Sequence, residues 1–206
     1  VIMNLADPTV FFPLQPPRGQ KGDVFKLIYH GTLSSRYGLE VIIRGLQEVL
    51  KRNYNVQLDI YGEGDGFFSL RAMADKLGIK EMVRVHKAVP LDELPGKINQ
   101  ADLGIVSYIP SDATDFMLPC KLMEFIAMEK PVLTVKNTAI AHYFPNGELP
   151  YYTANDSSSF AEKLINMITR PDVLTEAQKK VTDFNKKMNW LSEKRKYIDL
   201  VNSLVK

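Results

Sequence analysis

Short apolar runs alternate with amphipathic stretches along most of the chain, from Phe25 onward. The runs at 25–30 and 56–62 have the pattern of strands, and the second alternates apolar with polar residues. Between them, Leu39, Ile42 and Leu46 recur at the 3.6-residue spacing of an amphipathic helix. Strands separated by helices predict βαβ units, which require right-handed crossovers and build a mostly parallel sheet.

Strands are predicted in this way at 25–30, 56–62, 82–89, 101–108, 131–135 and 148–152. The predicted fold class is α/β: a Rossmann-like, doubly wound, mostly parallel sheet of about six strands, with helices on both faces. Ligands of such sheets bind beyond the carboxyl ends of the strands, near helix N-termini. The loops that we expect to carry chemistry are therefore 31–38, 62–66, 87–90, 109–120 and 136–147.

Three parts are predicted along the chain. Residues 1–24 are predicted to be a connector, because they include LQPPRGQKGD (14–23), which is rich in Pro, Gly and charge. Residues 25–188 form the predicted α/β domain, and 189–206 form a final helix. The opening residues lack the layout of a signal peptide and begin as if inside a strand-to-turn segment. We therefore expect the chain to be the C-terminal part of a longer protein.

Composition narrows the class of protein. The 206 residues are 45% apolar and 24% charged, as in an ordinary soluble globular protein. The net charge of +2 provides no basic field for nucleic acid, so no nucleic-acid partner is expected. The single cysteine, Cys120, excludes a disulfide framework within the chain and a cysteine-based zinc site, and it favours a reducing, cytoplasmic location.

The stretch MLPCKLMEFIAMEKPVL (117–133) is the main candidate for binding chemistry. Pro119 suits the first turn of a helix, where its missing N–H costs little. Lys121 and Glu124 are three residues apart and hence neighbours on one helix face. Free N–H groups of residues 120–122 could hold a phosphate, while the carboxylate accepts hydrogen bonds from vicinal hydroxyls. The alternative is a solvated ion pair worth ~0.3 kcal/mol.

The loop after the first strand, HGTLSSRYG (30–38), offers a second set of groups. Gly31 permits a tight turn and the close approach of a ligand, with Thr32 beside it. Arg36 lies at the start of the next helix, where the helix dipole disfavours a cation, so an anionic ligand is one explanation and simple exposure is the other. The glycines of YGEGDG (61–66) lack the spacing of a dinucleotide fingerprint, which favours a plain strand-to-helix turn.

The three histidines, His30, His86 and His142, form no recognisable catalytic or metal-binding pattern. His30 and His86 fall at the ends of apolar strands. We interpret them as strand-end residues that line the cleft, and we predict no metal site.

Four stretches together resemble the C-terminal domain of the retaining GT-B glycosyltransferases of family four. They are GTLSSRYGLEVIIRGL, VQLDIYGEGDGFFSLRAMADKLGI, VRVHKAVPLDELPGKINQADLGIVSY and LPCKLMEFIAMEKPVL. The resemblance covers nearly the whole chain, which would then be one half of a GT-B fold. It implies that the opening residues are the interdomain hinge and that the last helix returns toward an N-terminal domain.

The resemblance also assigns roles to the candidate site. It implies that Glu124 binds the ribose hydroxyls of a nucleotide sugar. The diphosphate would meet the helix start, at Pro119, Lys121 and Leu122, and the loop with Gly31, Thr32 and Arg36. The base would lie against the segment 86–89, which contains His86 and Lys87.

This sequence departs from the family pattern at several positions. The family often has an arginine and a lysine in the first loop, where this chain has Thr32 and Tyr37, and Arg36 is the nearest cation. It also often has a carboxylate seven residues before the glutamate, where this chain has Phe116, with Asp115 adjacent. Pro119, Lys121, Glu124 and Phe125 match a branch with a Pro-x-Lys-x-x-Glu-[Tyr/Phe] signature. Asp115 and Glu124 are thus the predicted catalytic residues.

The resemblance implies the donor-binding half of a glycosyltransferase. The full enzyme would transfer a sugar from a UDP- or GDP-linked donor to a sugar or lipid-linked acceptor with retention, as in polysaccharide biosynthesis. No cofactor and no metal are expected, and this chain alone would be inactive. Membrane contact at the inner face would come through the N-terminal domain. A nucleotide-sugar epimerase of the same fold and a non-catalytic α/β interaction module are the alternatives.

Overall fold

The computed structural model of the protein describes residues 2–14, 23–145 and 147–205. Its centre is a parallel sheet with the strand order β3-β2-β1-β4-β5-β6. The strands are β1 (Phe25–His30), β2 (Val56–Tyr61), β3 (Val83–His86), β4 (Leu103–Val106), β5 (Val132–Val135) and β6 (Tyr151–Tyr152). Helices cover both faces of the sheet, so the predicted fold class is confirmed.

The helices separate and follow these strands. They are α1 (Leu39–Lys51), α2 (Phe67–Lys76), α3 (Leu94–Gln100), α4 (Asp112–Asp115), α5 (Cys120–Ala127), α6 (Thr138–Tyr143), α7 (Ser157–Thr169), α8 (Pro171–Lys187) and α9 (Trp190–Leu204). The short helices α4 and α6 lie in loops for which no helix was predicted, because neither is long enough to show a helical period. Each begins with a side-chain cap, from Ser111 and from Asn137.

Burial differs between the strands of the sheet. Every residue of β4 and of β5 is buried, so both faces of these strands are covered, as is usual in a parallel sheet. β2 alternates instead, with Val56, Leu58 and Ile60 fully buried and the residues between them half-buried. One face of β2 is therefore less completely covered than the other.

Close packing of α5 against β4 fixes the position of the candidate helix. A Cβ on Gly104 of β4 would lie 2.8 Å from the ring of Phe125 on α5, so the glycine lets the ring rest directly on the strand. The strand order reverses at β1 and β4, which are adjacent in the sheet but not in sequence. In doubly wound sheets this reversal opens a crevice at the carboxyl ends of the two strands.

The N-terminal segment and α9 are joined to each other. Residues 2–14 form neither helix nor strand, yet Met3 and Phe11 are buried. The backbone N–H of Met3 donates to the carboxylate of Glu193 on α9 over 2.9 Å. The connector is predicted at 1–24, and its Pro- and Gly-rich stretch falls mostly on residues 15–22, which lie outside the described residues. The three-part division of the chain therefore stays a prediction.

Candidate functional site

The start of α5 lies at the crevice, as the sequence predicts. Pro119 is its N-cap, and the N–H of Leu122 already donates to the Pro119 carbonyl over 3.0 Å. The N–H groups of Cys120 and Lys121 have no acceptor within the described ranges. Two amides, rather than the three predicted, are therefore free for an anion, and the side chain of Leu122 is buried in the core.

Lys121 is buried rather than solvated. Its side-chain ammonium donates to the hydroxyl of Tyr29 over 2.7 Å. It lies 4.0 Å from the ring centre of Tyr29 and 4.4 Å from that of Tyr37, within the range of cation–π attraction. Burial lowers the pKa of Lys121 to about 7, while the charge of Glu124 acts in the opposite direction. A solvated ion-pair face is therefore the wrong interpretation of this lysine.

The ammonium of Lys121 lies against the first loop. The hydroxyl of Tyr29, which accepts from Lys121, donates in turn to the carbonyl of Thr32 over 2.9 Å. Gly31 has a φ of +117°, a conformation that favours glycine, and a Cβ there would lie 3.3 Å from the ammonium. Lys121 thus brings a cation to the loop in which Thr32 and Tyr37 replace the family's charged residues.

Glu124 lies one turn further along α5 and faces the end of β1. Its side chain is 20% exposed, and a carboxylate oxygen lies 3.4 Å from Nε2 of His30. Burial raises the pKa of Glu124, and the nearby Lys121 partly offsets this. Burial lowers the pKa of His30 to about 3, so its imidazole is neutral and the contact is not an ion pair at neutral pH. Glu124 therefore retains an accessible carboxylate at the rim of the sheet.

A cavity of about 320 Å³ opens beside these residues. It is lined by His30, Gly31, Thr32, Tyr61, Gly62, Glu63, Ala88, Val89 and Leu94. Ala88 and Val89 belong to the segment predicted to contact a base. The other two residues of that segment point elsewhere, because His86 contacts Asp59 over 2.7 Å and stacks on Tyr61, while Lys87 is exposed to solvent.

The glycines of the second loop serve backbone packing. A Cβ on Gly62 would lie 1.9 Å from the carbonyl oxygen of Gly31, and one on Gly64 would lie 2.2 Å from that of Leu33. The same two loops exchange hydrogen bonds, from Leu33 to Glu63 and from Gly66 to Leu33. These contacts support a strand-to-helix turn rather than a phosphate cradle.

Arg36 and Asp115 occupy less direct positions. Arg36 lies in a 3-10 turn (Ser35–Tyr37) before α1, exposed, with its guanidinium donating to the hydroxyl of Tyr37 over 3.0 Å. Asp115 accepts hydrogen bonds from the N–H and the hydroxyl of Thr138, which lower its pKa. Its carboxylate thus joins α4 to α6, and a role on the donor sugar stays a prediction.

The sequence analysis missed the tyrosines around Lys121. Tyr29 is fully buried, and Tyr37 and Tyr108, also buried, lie with their ring centres 5.5 Å apart. Burial raises the pKa of Tyr29 and of Tyr108. A tyrosine at a core position needs a partner for its hydroxyl, and that rule is the signal that could have directed attention to Tyr29.

Solved structures share this architecture. The C-terminal domain of the group 1 family glycosyl transferase LpcC from Francisella tularensis matches with a TM-score of 0.70 and 17% identity, over 88% of this chain and 97% of that one. HepE from Anabaena, solved with UDP and glucose, matches with a TM-score of 0.78 and 14% identity, over 98% of this chain and 56% of HepE. These likenesses define the fold as a Rossmann-like half of the GT-B glycosyltransferase architecture.

The sequence itself defines the family. The family described as "Glycosyl transferases group 1" matches residues 13–195, so the chain belongs to this family. The GDP-mannose-dependent alpha-(1-6)-phosphatidylinositol monomannoside mannosyltransferase of Mycolicibacterium smegmatis is 30% identical over 100 residues. That match spans 48% of this chain and 23% of the mannosyltransferase. Among the described residues, no helix is long and apolar enough to cross a membrane.

Proposed function

We propose that this chain binds a nucleoside-diphosphate sugar and forms the donor-binding half of a retaining glycosyltransferase. The acceptor, a sugar or a lipid-linked sugar, would bind mainly outside this chain. On this proposal the chain alone binds the donor but transfers nothing, because most of the acceptor site would lie outside it. Both uridine and guanosine donors are candidates, because HepE was solved with UDP and the mannosyltransferase is named for GDP-mannose.

One observation carries the proposal: α5 presents a cation, two free amides and a carboxylate within its first two turns, at the switch point of the sheet. Lys121 and the free amides of Cys120 and Lys121 match the two negative charges of a diphosphate. Glu124, one turn further along, can accept hydrogen bonds from two neighbouring hydroxyls of a ribose. The adjacent cavity, with Ala88 and Val89, is wide enough to receive a base.

The same groups would favour the chemical step. Departure of a nucleoside diphosphate concentrates negative charge on its terminal phosphate, and preorganised donors stabilise this charge more in the transition state than in the ground state. Lys121, the amides of α5 and Arg36 are the donors that this chain supplies. We propose that they bear this charge without a metal ion.

Titration of the protein with UDP, GDP and their sugar conjugates tests the proposal. We expect one series to shift the amide resonances of residues 31–36 and 120–124 in nitrogen–proton correlation spectra. Glu124→Gln should weaken nucleotide binding about tenfold, because an amide replaces a charged acceptor for two hydroxyls. Glu129→Gln, just beyond the C-terminal end of α5, is the matched control and should bind as the wild type does.

Each outcome decides between functions. If none of the nucleotides shifts these amides, the proposal is wrong and a non-catalytic interaction module becomes the better interpretation. If binding is retained in Glu124→Gln but lost in Lys121→Met, the diphosphate assignment survives and the ribose assignment fails. Release of a free monosaccharide from the full-length enzyme without acceptor would favour an epimerase.

A further inference from the structure

His30 is the one histidine of the described chain that is buried at the candidate site with an unused nitrogen. It is 5% exposed, and its Nε2 is buried without a hydrogen-bond partner. The same atom lies 3.4 Å from a carboxylate oxygen of Glu124, at the outer limit of a hydrogen bond. A buried polar atom without a partner is unfavourable, so its position beside the key carboxylate requires an explanation.

The ring of His30 is held in place from two sides. It packs edge-on against Phe125 of α5, with ring centres 4.9 Å apart and planes at 72°. His30 is also the last residue of β1, directly before Gly31, so its backbone is fixed by the sheet. Because both supports are rigid elements of the fold, Nε2 has a fixed position, whereas the carboxylate of Glu124 is on a longer side chain that can rotate.

The charge state of the imidazole follows from its surroundings. It is buried, and the ammonium of Lys121 disfavours a second positive charge nearby. A neutral imidazole carries one proton, on Nδ1 or on Nε2. An Nε2 lone pair directed at a carboxylate would be repelled, so the tautomer with the proton on Nε2 is the one that fits this contact.

We infer that His30 is a positioning residue for Glu124: its Nε2–H holds one carboxylate oxygen and thereby directs the other oxygen toward the hydroxyls of the bound nucleotide. This inference rests on the proposed function and adds to it a residue that does not touch the ligand. The distance of 3.4 Å in the unliganded protein would shorten when a ligand orders the carboxylate.

Two substitutions separate positioning from simple packing. The amide of Gln places an N–H where Nε2 lies, so His30→Gln should keep UDP or GDP affinity within about threefold of the wild type. His30→Asn leaves its amide short of Glu124 and should weaken the binding of the same nucleotide about tenfold, the effect of losing one hydrogen bond to a charged group. Thermal unfolding of both variants checks that they fold.

Equal affinity of the Asn variant and the wild type would overturn the inference, and so would equal weakening in both variants. A second measurement needs no variant: long-range nitrogen–proton correlation spectra of the wild type should show the proton of His30 on Nε2. A proton on Nδ1 would mean that Glu124 donates to His30 instead, and would also overturn it. If the wild type binds neither UDP nor GDP, the proposed function itself is wrong. If the wild type binds a nucleotide and the Asn variant binds it equally well, the proposed function stands and only the role of His30 is wrong.

Discussion

At the scale of single residues, the environment of Lys121 decides what the candidate site can do. The lysine is held between Tyr29 and Tyr37 by cation–π attraction and by one hydrogen bond, but it has lost most of its water. Loss of hydration disfavours the charged form, and this is why its pKa falls toward neutrality. An arriving diphosphate would add negative charge beside the ammonium and so favour its charged form.

This environment predicts how stability depends on pH. Below pH 7 the lysine is charged in both the folded and the unfolded states, and the folded state bears the cost of a buried charge. Between about pH 7 and the unfolded pKa near 10.4, only the unfolded state keeps the proton, so the free energy of unfolding rises with pH by up to about 1.4 kcal/mol per unit. Urea unfolding from pH 6 to 9 measures this slope.

Lys121→Met is the control for that slope, because it fills the same space without a titrating group. We expect this variant to be more stable than the wild type at pH 6, and the difference to shrink as the pH rises. A constant difference between pH 6 and pH 9 would show that Lys121 keeps its charge in the folded protein throughout.

At the scale of elements, glycines set how closely the helices approach. Gly45 on α1 faces the start of α7, where an added Cβ would lie 2.6 Å from the carbonyl oxygen of Ser157 and 2.7 Å from the ring of Phe160. Neither the backbone of Ser157 nor the buried ring of Phe160 can easily move aside to make room for a side chain. The contact between α1 and α7 therefore depends on the absence of a side chain at Gly45.

A pair of glycine substitutions tests this dependence. Gly45→Ala should lower the free energy of unfolding by about 1–3 kcal/mol, since the overlap outweighs the better helix propensity of alanine. Gly96→Ala in α3, where an added Cβ meets nothing within 4 Å, should instead be neutral or raise it by up to ~1 kcal/mol. Chemical denaturation of both variants measures the two effects, and a loss of stability in both would contradict the packing argument.

At the scale of the whole molecule, one buried carboxylate ties the two ends of the described chain together. Glu193 is 1% exposed, accepts from the N–H of Met3 and forms an ion pair with Lys196. These bonds lower its pKa. Elsewhere the last helix presents apolar side chains to solvent, among them Leu191, Tyr197 and Leu200, whereas Glu193 connects it to the N-terminal segment.

Glu193→Ala should loosen that link. Removing the acceptor leaves a buried N–H at Met3 without a partner, which costs about 1–3 kcal/mol locally. Hydrogen exchange should become faster in residues 2–14 and in α9, and stay unchanged in β1 and β4. Glu176→Ala, which removes an exposed ion pair with Lys180 on α8, is the control and should leave exchange at both ends as it is.

The sequence by itself determined the class of fold, the order of strands and helices, and the helix that carries Lys121 and Glu124. It could do so because apolar periodicity and helix-start residues are local properties of the chain. It did not predict α4 and α6, which are too short to show a period, nor the tyrosines that enclose Lys121.

Only the tertiary structure decided which groups meet. Tyr29 and His30 come from β1, whereas Lys121 and Glu124 come from α5, about ninety residues later. Their contact depends on the reversal of strand order that puts β1 beside β4. Burial, and with it the low pKa of Lys121 and the neutral state of His30, arises only when those distant elements pack, because no local pattern specifies how much water a side chain loses on folding.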